Sequence, residues 1–398
     1  MRITLITTLV TASLAVTSNL ANGDIKTTKV PRFDTAVQNA VRFLQQLELV
    51  DDREESIVAY ALLKAGVPVT DPKIVQGLAG AKQRGQELTY SHYQGTYLAA
   101  VDAMLLSDAD GELYFNEVQR ISDRILQIQE PSGCWSDAPT KPGDVSLSQY
   151  SILGLWAAQR IGCNVDPGAL DRVAAYLIKN TNADGGWRYR PGTNLGPENG
   201  ASGANMTLAA VGTLGISRLL LFPKQSEVAK PEKKFGMLEK SADTKKAGNN
   251  PFGNFSPKTS ASMMDNAIGR GLAWNTTRQA PVSKGEFPLY FYYTFERAAS
   301  LLELETDWFT YYGDGLLTLQ KDDGSFESHS AAVKPSVATS FAILFYMRST
   351  QQILDKQFGK GSMTGSRGDL DDLYGDKKKI KKELGPLDEL LGAMMTNV

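Results

Sequence analysis

The apolar positions of this chain follow a pattern that is clearest in three places. A stretch with apolar residues three and four apart, typical of an amphipathic helix, leads into a glycine-rich turn, and a more uniformly apolar stretch follows. The three turns are residues 129–135, 182–187 and 320–326. In each turn a glycine permits the positive φ that ends a helix, and an aromatic residue follows it. The pattern predicts an amphipathic outer helix, a turn and a buried inner helix.

The same pairing of helices extends over most of the chain. The stretches after the three turns, at residues 146–161, 201–221 and 333–347, predict inner helices. Weaker copies of the pair occur at residues 33–47 with 55–65, 73–83 with 91–106, and 261–274 with 287–302. Six pairs are the number that closes an all-α toroid, a six-by-six α/α barrel in which inner helices ring a centre. An open solenoid of helix pairs is the alternative.

Three regions lie outside this repeat. Residues 1–23 contain one basic residue, an apolar run and small residues, which predicts a signal peptide and a secreted, periplasmic or cell-envelope location. A buried N-terminal helix is the alternative. The toroid is expected to span residues 24–352, with a Lys-, Pro- and Gly-rich insertion at 222–253. Residues 353–398 form a charged, low-complexity tail that could contact an envelope protein or a membrane surface.

The composition of the chain argues against several classes of function. The formal net charge is −2, so no nucleic-acid partner is expected. The two histidines argue against a zinc enzyme of the usual kind and against a Ser-His-Asp hydrolase, and no metal or other cofactor is predicted. Cys134 and Cys163 are expected to be small buried residues, although a disulfide between them stays open.

The three turns resemble the QW repeats of squalene-hopene and oxidosqualene cyclases and the related turns of protein prenyltransferase β-subunits. Residues 290–297 and 339–345 further resemble secreted bacterial proteins of the prenyltransferase/squalene oxidase repeat group. The resemblance covers residues 33–350 as architecture, with strong motifs in three of six repeats. It implies an α/α toroid with a hydrophobic or isoprenoid ligand and, for an enzyme, a terpene cyclase/mutase-like isomerase.

The resemblance also implies candidate catalytic residues. Class II cyclases protonate an alkene with an Asp-x-Asp-Asp motif, whose central aspartate is held protonated. The same letters occur at residues 369–372, which makes Asp371 and Asp372 the catalytic candidates. Because this segment lies in the charged tail, a solvated acidic stretch is the alternative interpretation.

Polar and aromatic residues near the starts of the inner helices predict a ligand-binding rim at one end of the barrel. Such residues also cap helix N-termini, which is the structural alternative. The rim candidates are His92, Tyr93, Gln94, Gln149, Tyr150, Asn205, Tyr293, Glu296 and Arg297. Glu296 and Arg297 point about 100° apart on a helix, so each is expected to pair with a neighbouring helix or to contact substrate.

Three functions stay open at this point. The first is a terpene-cyclase/prenyltransferase-like envelope protein that binds or cyclises a long isoprenoid. The second is a non-catalytic binding or scaffold protein of the envelope. The third is a carbohydrate-active α/α-barrel protein, which would need paired carboxylates facing each other across a cavity.

Overall fold

A computed structural model of the chain describes residues 25–49, 51–90, 95–136, 143–191, 200–223, 252–253, 255–277, 287–304, 307–327 and 333–358. The regular elements of these residues are all helices. They are α1 (Pro31–Gln46), α2 (Asp52–Ala65), α3 (Pro72–Glu87), α4 (Gly95–Asp110), α5 (Phe115–Gln127), α6 (Val145–Arg160), α7 (Pro167–Lys179), α8 (Ala204–Leu221), α9 (Ala261–Thr277), α10 (Pro288–Leu302), α11 (Trp308–Leu317), α12 (Pro335–Tyr346) and α13 (Ser349–Phe358).

Six of the helices form a closed inner ring. Helices α2, α4, α6, α8, α10 and α12 each pack against the next, and α12 packs against α2. Their N-terminal ends meet at one side of the ring, where Lys334 and Ser336 of the α12 end bond Glu54 of α2. The closure excludes the open solenoid and confirms the predicted α/α toroid.

The remaining helices of the pairs wrap this ring. Helix α3 packs against α2 and α4, α5 against α4 and α6, and α1 against α12 and α2. In α5 the buried face carries Val118, Ile121 and Ile125, which recur three and four residues apart. The hydrophobic periodicity therefore sets which side of an outer helix faces the ring.

The glycine turns join consecutive outer helices. Gly133, Gly185 and Gly324 have φ values of +100°, +96° and +88°. A Cβ on them would lie 2.3, 3.0 and 2.5 Å from the backbone carbonyl oxygens of Arg172 in α7, Arg270 in α9 and Asn39 in α1, respectively. Each position therefore requires glycine for its φ and for the close approach. The third turn ties α11 to α1 and so bridges the two ends of the repeat.

The aromatic residue of each turn is anchored to the inner helix that follows it, and the two tryptophans are also bonded to the preceding outer helix. The indole Nε1 groups of Trp135 and Trp187 donate to the carbonyl oxygens of Ile125 and Leu177, at 2.8 and 2.9 Å. The backbone N–H groups of Trp135, Trp187 and Phe326 donate to hydroxyls of the following inner helices, those of Ser148, Thr207 and Thr339.

The register of the second turn differs from the sequence interpretation. The N–H of Asn182 donates to the carbonyl oxygen of Gly186, as the N–H of Glu130 donates to that of Cys134. Asn182 is thus equivalent to Glu130, and Thr181 stands where the first turn has Gln129. The repeat motif at this turn begins one residue earlier than the Asn182 start read from the sequence.

Helix α13, which the pairing pattern does not predict, lies against α10 and α12. It runs through residue 352, where the sequence places the end of the toroid. Gln352 donates to the Lys64 carbonyl oxygen at the end of α2, and Trp156 of α6 donates to Gln357. The helix therefore reaches across the C-terminal side of the ring.

Two further features are the most apolar long helix and the two cysteines. Within the described part of the chain, α8 is the helix with the length and hydropathy to cross a membrane, and 83% of it is buried in the ring, as in core helices of other proteins. Cys134 and Cys163 are buried and unpaired, so the disulfide alternative is wrong. Burial raises the pKa of these thiols to about 12 and about 11.

Candidate ligand site in the ring interior

The candidate residues from the sequence fall into three groups. His92, Tyr93, Gln94, Asp371 and Asp372 lie outside the described residues, so their roles stay predictions. Gln149, Tyr150, Tyr293 and Arg297 come together inside the ring. Glu296 and Asn205 have other positions, given below.

Gln149 and Tyr150 on α6 face Tyr293 and Arg297 on α10. Because α8 stands between α6 and α10 in the ring, contacts between their side chains pass through the interior. All four side chains, which the sequence assigns to a rim at one end of the barrel, are buried in the ring. Helix α6 begins at Val145, so Gln149 lies in its second turn. Arg297 lies about 14 Å along α10 from its first residue.

Five aromatic side chains, Tyr97, Tyr150, Tyr290, Tyr293 and Phe341, form what we call the aromatic cluster. The ring centroids of Tyr97 and Tyr150 are 5.0 Å apart, and those of Tyr150 and Tyr293 are 6.4 Å apart. Tyr293 stacks on Phe341 at 4.9 Å with an interplanar angle of 14°. The cluster thus connects α4, α6, α10 and α12 through the middle of the ring.

The hydroxyls of this cluster bond to neighbouring polar groups. The Tyr290 hydroxyl donates to Gln149 Oε1 at 2.8 Å and lies 3.1 Å from Ser146 Oγ, to which Tyr97 donates at 3.0 Å. Burial raises the pKa of Tyr97 and of Tyr290, so both are neutral donors. Tyr290 thus holds one end of the Gln149 amide, and the other end lies beside Gly212 of α8.

Arg297 places a guanidinium next to the cluster, with Cζ 4.4 Å from the Tyr293 ring centroid. Its Nε and Nη1 atoms have no hydrogen-bond partner among the described residues, and the same holds for Gln149 Nε2. A Cβ on Gly212 of α8 would lie 3.3 Å from both Arg297 Cδ and Gln149 Nε2, so glycine there leaves room for both side chains. The structural ion pair expected for Arg297 does not form within the described residues.

Glu296 points away from the site, which corrects its assignment to the rim. Its carboxylate accepts from the backbone N–H and the hydroxyl of Thr350, at 3.0 and 2.8 Å, and from Ser300. Burial raises the pKa of this carboxyl above its ordinary value. The residue holds the first turn of α13, a partner that the repeat pattern does not predict.

Asn205 lies at the start of an inner helix, and its part in a ligand-binding rim stays a prediction. It lies in the first turn of α8 and is partly exposed. Its Nδ2 donates to the carbonyl oxygen of Phe287, 3.3 Å away, just before α10 begins. The side chain thus links the starts of two inner helices.

Sequence reasoning missed the buried ion pairs, two groups of which centre on α4. Asp108 of α4 pairs with Lys64 of α2 at 2.7 Å and with Arg160 of α6 at 2.8 Å. Asp102 of α4 pairs with Arg84 of α3 at 2.8 Å. Charged residues within apolar helices were the available signal, since such residues need partners. Among the described residues, no group of three His, Cys, Asp or Glu side chains could hold a metal ion.

Comparison with known proteins gives partial similarity. No protein-family model matches the chain. A stretch of 73 residues, 18% of the chain, is 32% identical to drimenyl diphosphate synthase from Streptomyces showdoensis and spans 13% of that relative's length.

Two solved structures of the type II terpene cyclase MstE from Scytonema are also similar. The apo form gives a TM-score of 0.37 at 10% identity, covering 81% of this chain and 100% of that one. A variant in complex with its substrate, geranylgeranyl dihydroxybenzoate, gives 0.38 at 10% identity, with 82% and 99% covered. The closed ring of helices, rather than these scores, establishes that this chain has the α/α toroid architecture.

Proposed function

We propose that this toroid binds a long isoprenoid, with the prenyl chain lying against the aromatic cluster. The observation that carries the proposal is the cluster itself, which brings Tyr150, Tyr293 and Phe341 together inside the ring. Apolar surface removed from water contributes about 25 cal/mol per Å², so a prenyl chain of several isoprene units gains most of its affinity from such a wall.

The aromatic wall favours a prenyl chain over a sugar. A sugar carries a hydroxyl on most of its carbons, and each one that is buried needs a hydrogen-bond partner. The hydroxyls of Tyr97 and Tyr290 are already bonded within the network. Among the described residues beside the cluster, that leaves the donors of Arg297 and Gln149, which are too few for the several hydroxyls of a sugar. The buried carboxylates of Asp102 and Asp108 are paired with cations, so they do not supply the facing pair that glycoside hydrolysis needs.

The charge of Arg297 favours binding over cyclisation. A cyclase would stabilise a carbocation on the same aromatic faces. A guanidinium about 6 Å from that carbocation would oppose it by about 3 kcal/mol at an effective dielectric constant of 20. Acid-initiated cyclisation would also rest on Asp371 and Asp372, which stay predictions. A cyclic product from squalene and the purified protein would overturn this preference.

We also propose that the protein works outside the cytoplasm, because residues 1–23 have the pattern of a signal peptide. Export would place the toroid in or near the cell envelope, where the charged tail could contact a protein or a membrane surface. The intact mass of the exported protein tests this proposal. Removal of about 23 residues is expected, and a full-length mass would contradict export by cleavage.

Equilibrium binding of geranylgeraniol, a neutral prenyl alcohol, tests the proposed function. Phe341→Leu removes an aromatic face of the cluster and should weaken binding by about three- to tenfold, since an aromatic contact contributes about 0.5–1.5 kcal/mol. Phe115→Leu, at an exposed position at the start of α5, is the matched control and should bind like wild type. Equal effects of the two substitutions, or no binding by wild type, would refute the proposal.

A further inference from the structure

The ring interior contains hydrogen-bond donors that nothing described in the chain satisfies. Among them are Nε and Nη1 of Arg297 and Nε2 of Gln149, three nitrogen atoms of two neighbouring side chains. Arg297 is 1% exposed and Gln149 is fully buried, so bulk water does not solvate these groups. Buried polar groups are nearly always hydrogen-bonded, so these nitrogen atoms need a partner that the described residues do not supply.

The unsatisfied groups converge on one place. Both side chains lie beside Gly212, as its close distances to Arg297 Cδ and Gln149 Nε2 show. The amide oxygen of Gln149 is taken by the Tyr290 hydroxyl, which leaves its NH₂ group as the free end. The guanidinium lies over the face of Tyr293, an arrangement that keeps its N–H edges available.

The unsatisfied groups of Arg297 and Gln149 indicate which chemical group would bind between them. The three nitrogen atoms of Arg297 and Gln149 are all donors, and the Arg297 side chain carries a full positive charge. The complementary group is an acceptor with a single negative charge and two oxygen atoms. A diphosphate carries more charge than one guanidinium balances, and burying the excess would be costly. A carboxylate matches both the charge and the number of side chains.

We propose that Arg297 and Gln149 bind the carboxylate of a prenyl carboxylic acid. The proposal rests on the proposed function, because the prenyl chain of the same ligand lies on the aromatic cluster. Arg297 lies one helical turn further along α10 than Tyr293, so the carboxylate enters first. The chain then extends past Tyr293 and Phe341 toward the N-terminal ends of the inner helices.

Binding of two ligands that share one chain tests the proposal. Geranylgeranoic acid and geranylgeraniol differ only in the end group, carboxylate against hydroxyl. Wild-type protein should bind the acid at least about tenfold tighter at pH 7.5, since hydrogen bonds to charged groups are the stronger ones. In Arg297→Met the ratio of the two affinities should fall to about one.

The outcomes separate this proposal from the proposed function. Binding of the alcohol without a preference for the acid would overturn the carboxylate site and leave isoprenoid binding in place. Failure of both ligands to bind would overturn both proposals. A preference for the acid that survives in Arg297→Met would place the carboxylate elsewhere.

Thermal stability without ligand provides a second readout. Because the guanidinium is buried and the described residues offer it no counter-ion, Arg297→Met should raise the melting temperature. The control is Arg218→Met, which removes an arginine paired with Asp265 at 3.2 Å and should lower it. Gln149→Glu would supply a carboxylate from the chain itself, and we expect it to raise the melting temperature and abolish the preference for the acid. A lower melting temperature of Arg297→Met would show an internal partner and overturn the proposal.

Discussion

Buried charges in this protein are compensated to different extents. Asp108 lies between Lys64 and Arg160, and all three side chains are at most 9% exposed. These residues join α2, α4 and α6 near their C-terminal ends. Arg297, by contrast, has no ion-pair partner among the described residues. The first group is expected to stabilise the fold, and the second is expected to await a ligand.

The buried triad should be essential for stability. Asp108→Asn leaves two buried cations without a counter-ion, which should lower the free energy of unfolding by about 3–5 kcal/mol. Urea denaturation measures the change. Asp314→Asn is the matched control, because it breaks an exposed pair with Arg32 and should have a far smaller effect. Comparable losses in the two variants would contradict the role given to the triad.

The Asp108 carboxylate should also make the free energy of unfolding depend on pH. Burial disfavours its ionised form, but Lys64 and Arg160 outweigh burial and hold the pKa of Asp108 well below its ordinary value. Its contribution is therefore present above about pH 4, where an unfolded aspartate titrates, and is lost as the pH falls. Between about pH 5 and pH 3 the free energy of unfolding should fall more steeply in wild type than in Asp108→Asn. Parallel curves would contradict this assignment.

Single residues mark the limit of what the sequence predicts. Gln149, Tyr150, Tyr293 and Arg297 could be selected, because polar and aromatic residues near the starts of apolar helices are unusual. How deep these side chains lie in the ring could not be predicted, because that depth depends on where each helix begins and on which helix faces it. Glu296 shows the same limit, because its partners belong to α13.

At the scale of elements, the glycine turns connect the repeat pattern to the fold. Hydrophobic spacing predicts the twelve paired helices because burial of one face decides whether a helix forms. The spacing does not predict α13, a short helix whose first turn is held by Glu296. It also leaves the register of the second turn open, since Thr181 and Asn182 are both polar.

The stability loss caused by a steric clash at a turn can be separated from the loss caused by a left-handed backbone conformation. Gly133 and Gly162 both have positive φ, but nothing lies within 4 Å of a Cβ on Gly162. Gly162→Ala should therefore cost only the strain of a left-handed residue, about 1–2 kcal/mol. Gly133→Ala should cost about 1–3 kcal/mol more, because its methyl group would meet the Arg172 carbonyl. Equal losses on urea denaturation would mean that the turn does not hold α5 against α7.

At the scale of the whole molecule, the ring joins its first and last repeats. Helix α12 packs against α2, and the turn after α11 lies on α1. The number of helix pairs predicted this closure from the sequence. The contacts that cross the interior, from Tyr150 to Tyr293 and Phe341, could not be predicted, because they join helices far apart in the chain.

Closure should make the ends of the repeat as stable as its middle. In an open solenoid the terminal repeats open first, since each has one neighbour. In this ring, amide hydrogen exchange of the buried parts of α2 and α12 should be as slow as that of α6. Markedly faster exchange in α2 and α12 would contradict a closed ring in solution.

The central claim is that the ring interior holds a prenyl chain, and photolabelling tests it most directly. A geranylgeraniol analogue with a diazirine at the end of its chain would be irradiated with the protein, and the labelled peptides identified by mass spectrometry. We expect label on the peptides that contain Tyr150, Tyr293 and Phe341, with loss of label when excess geranylgeraniol competes. Label confined to the outer helices, or label that geranylgeraniol does not displace, would contradict the claim.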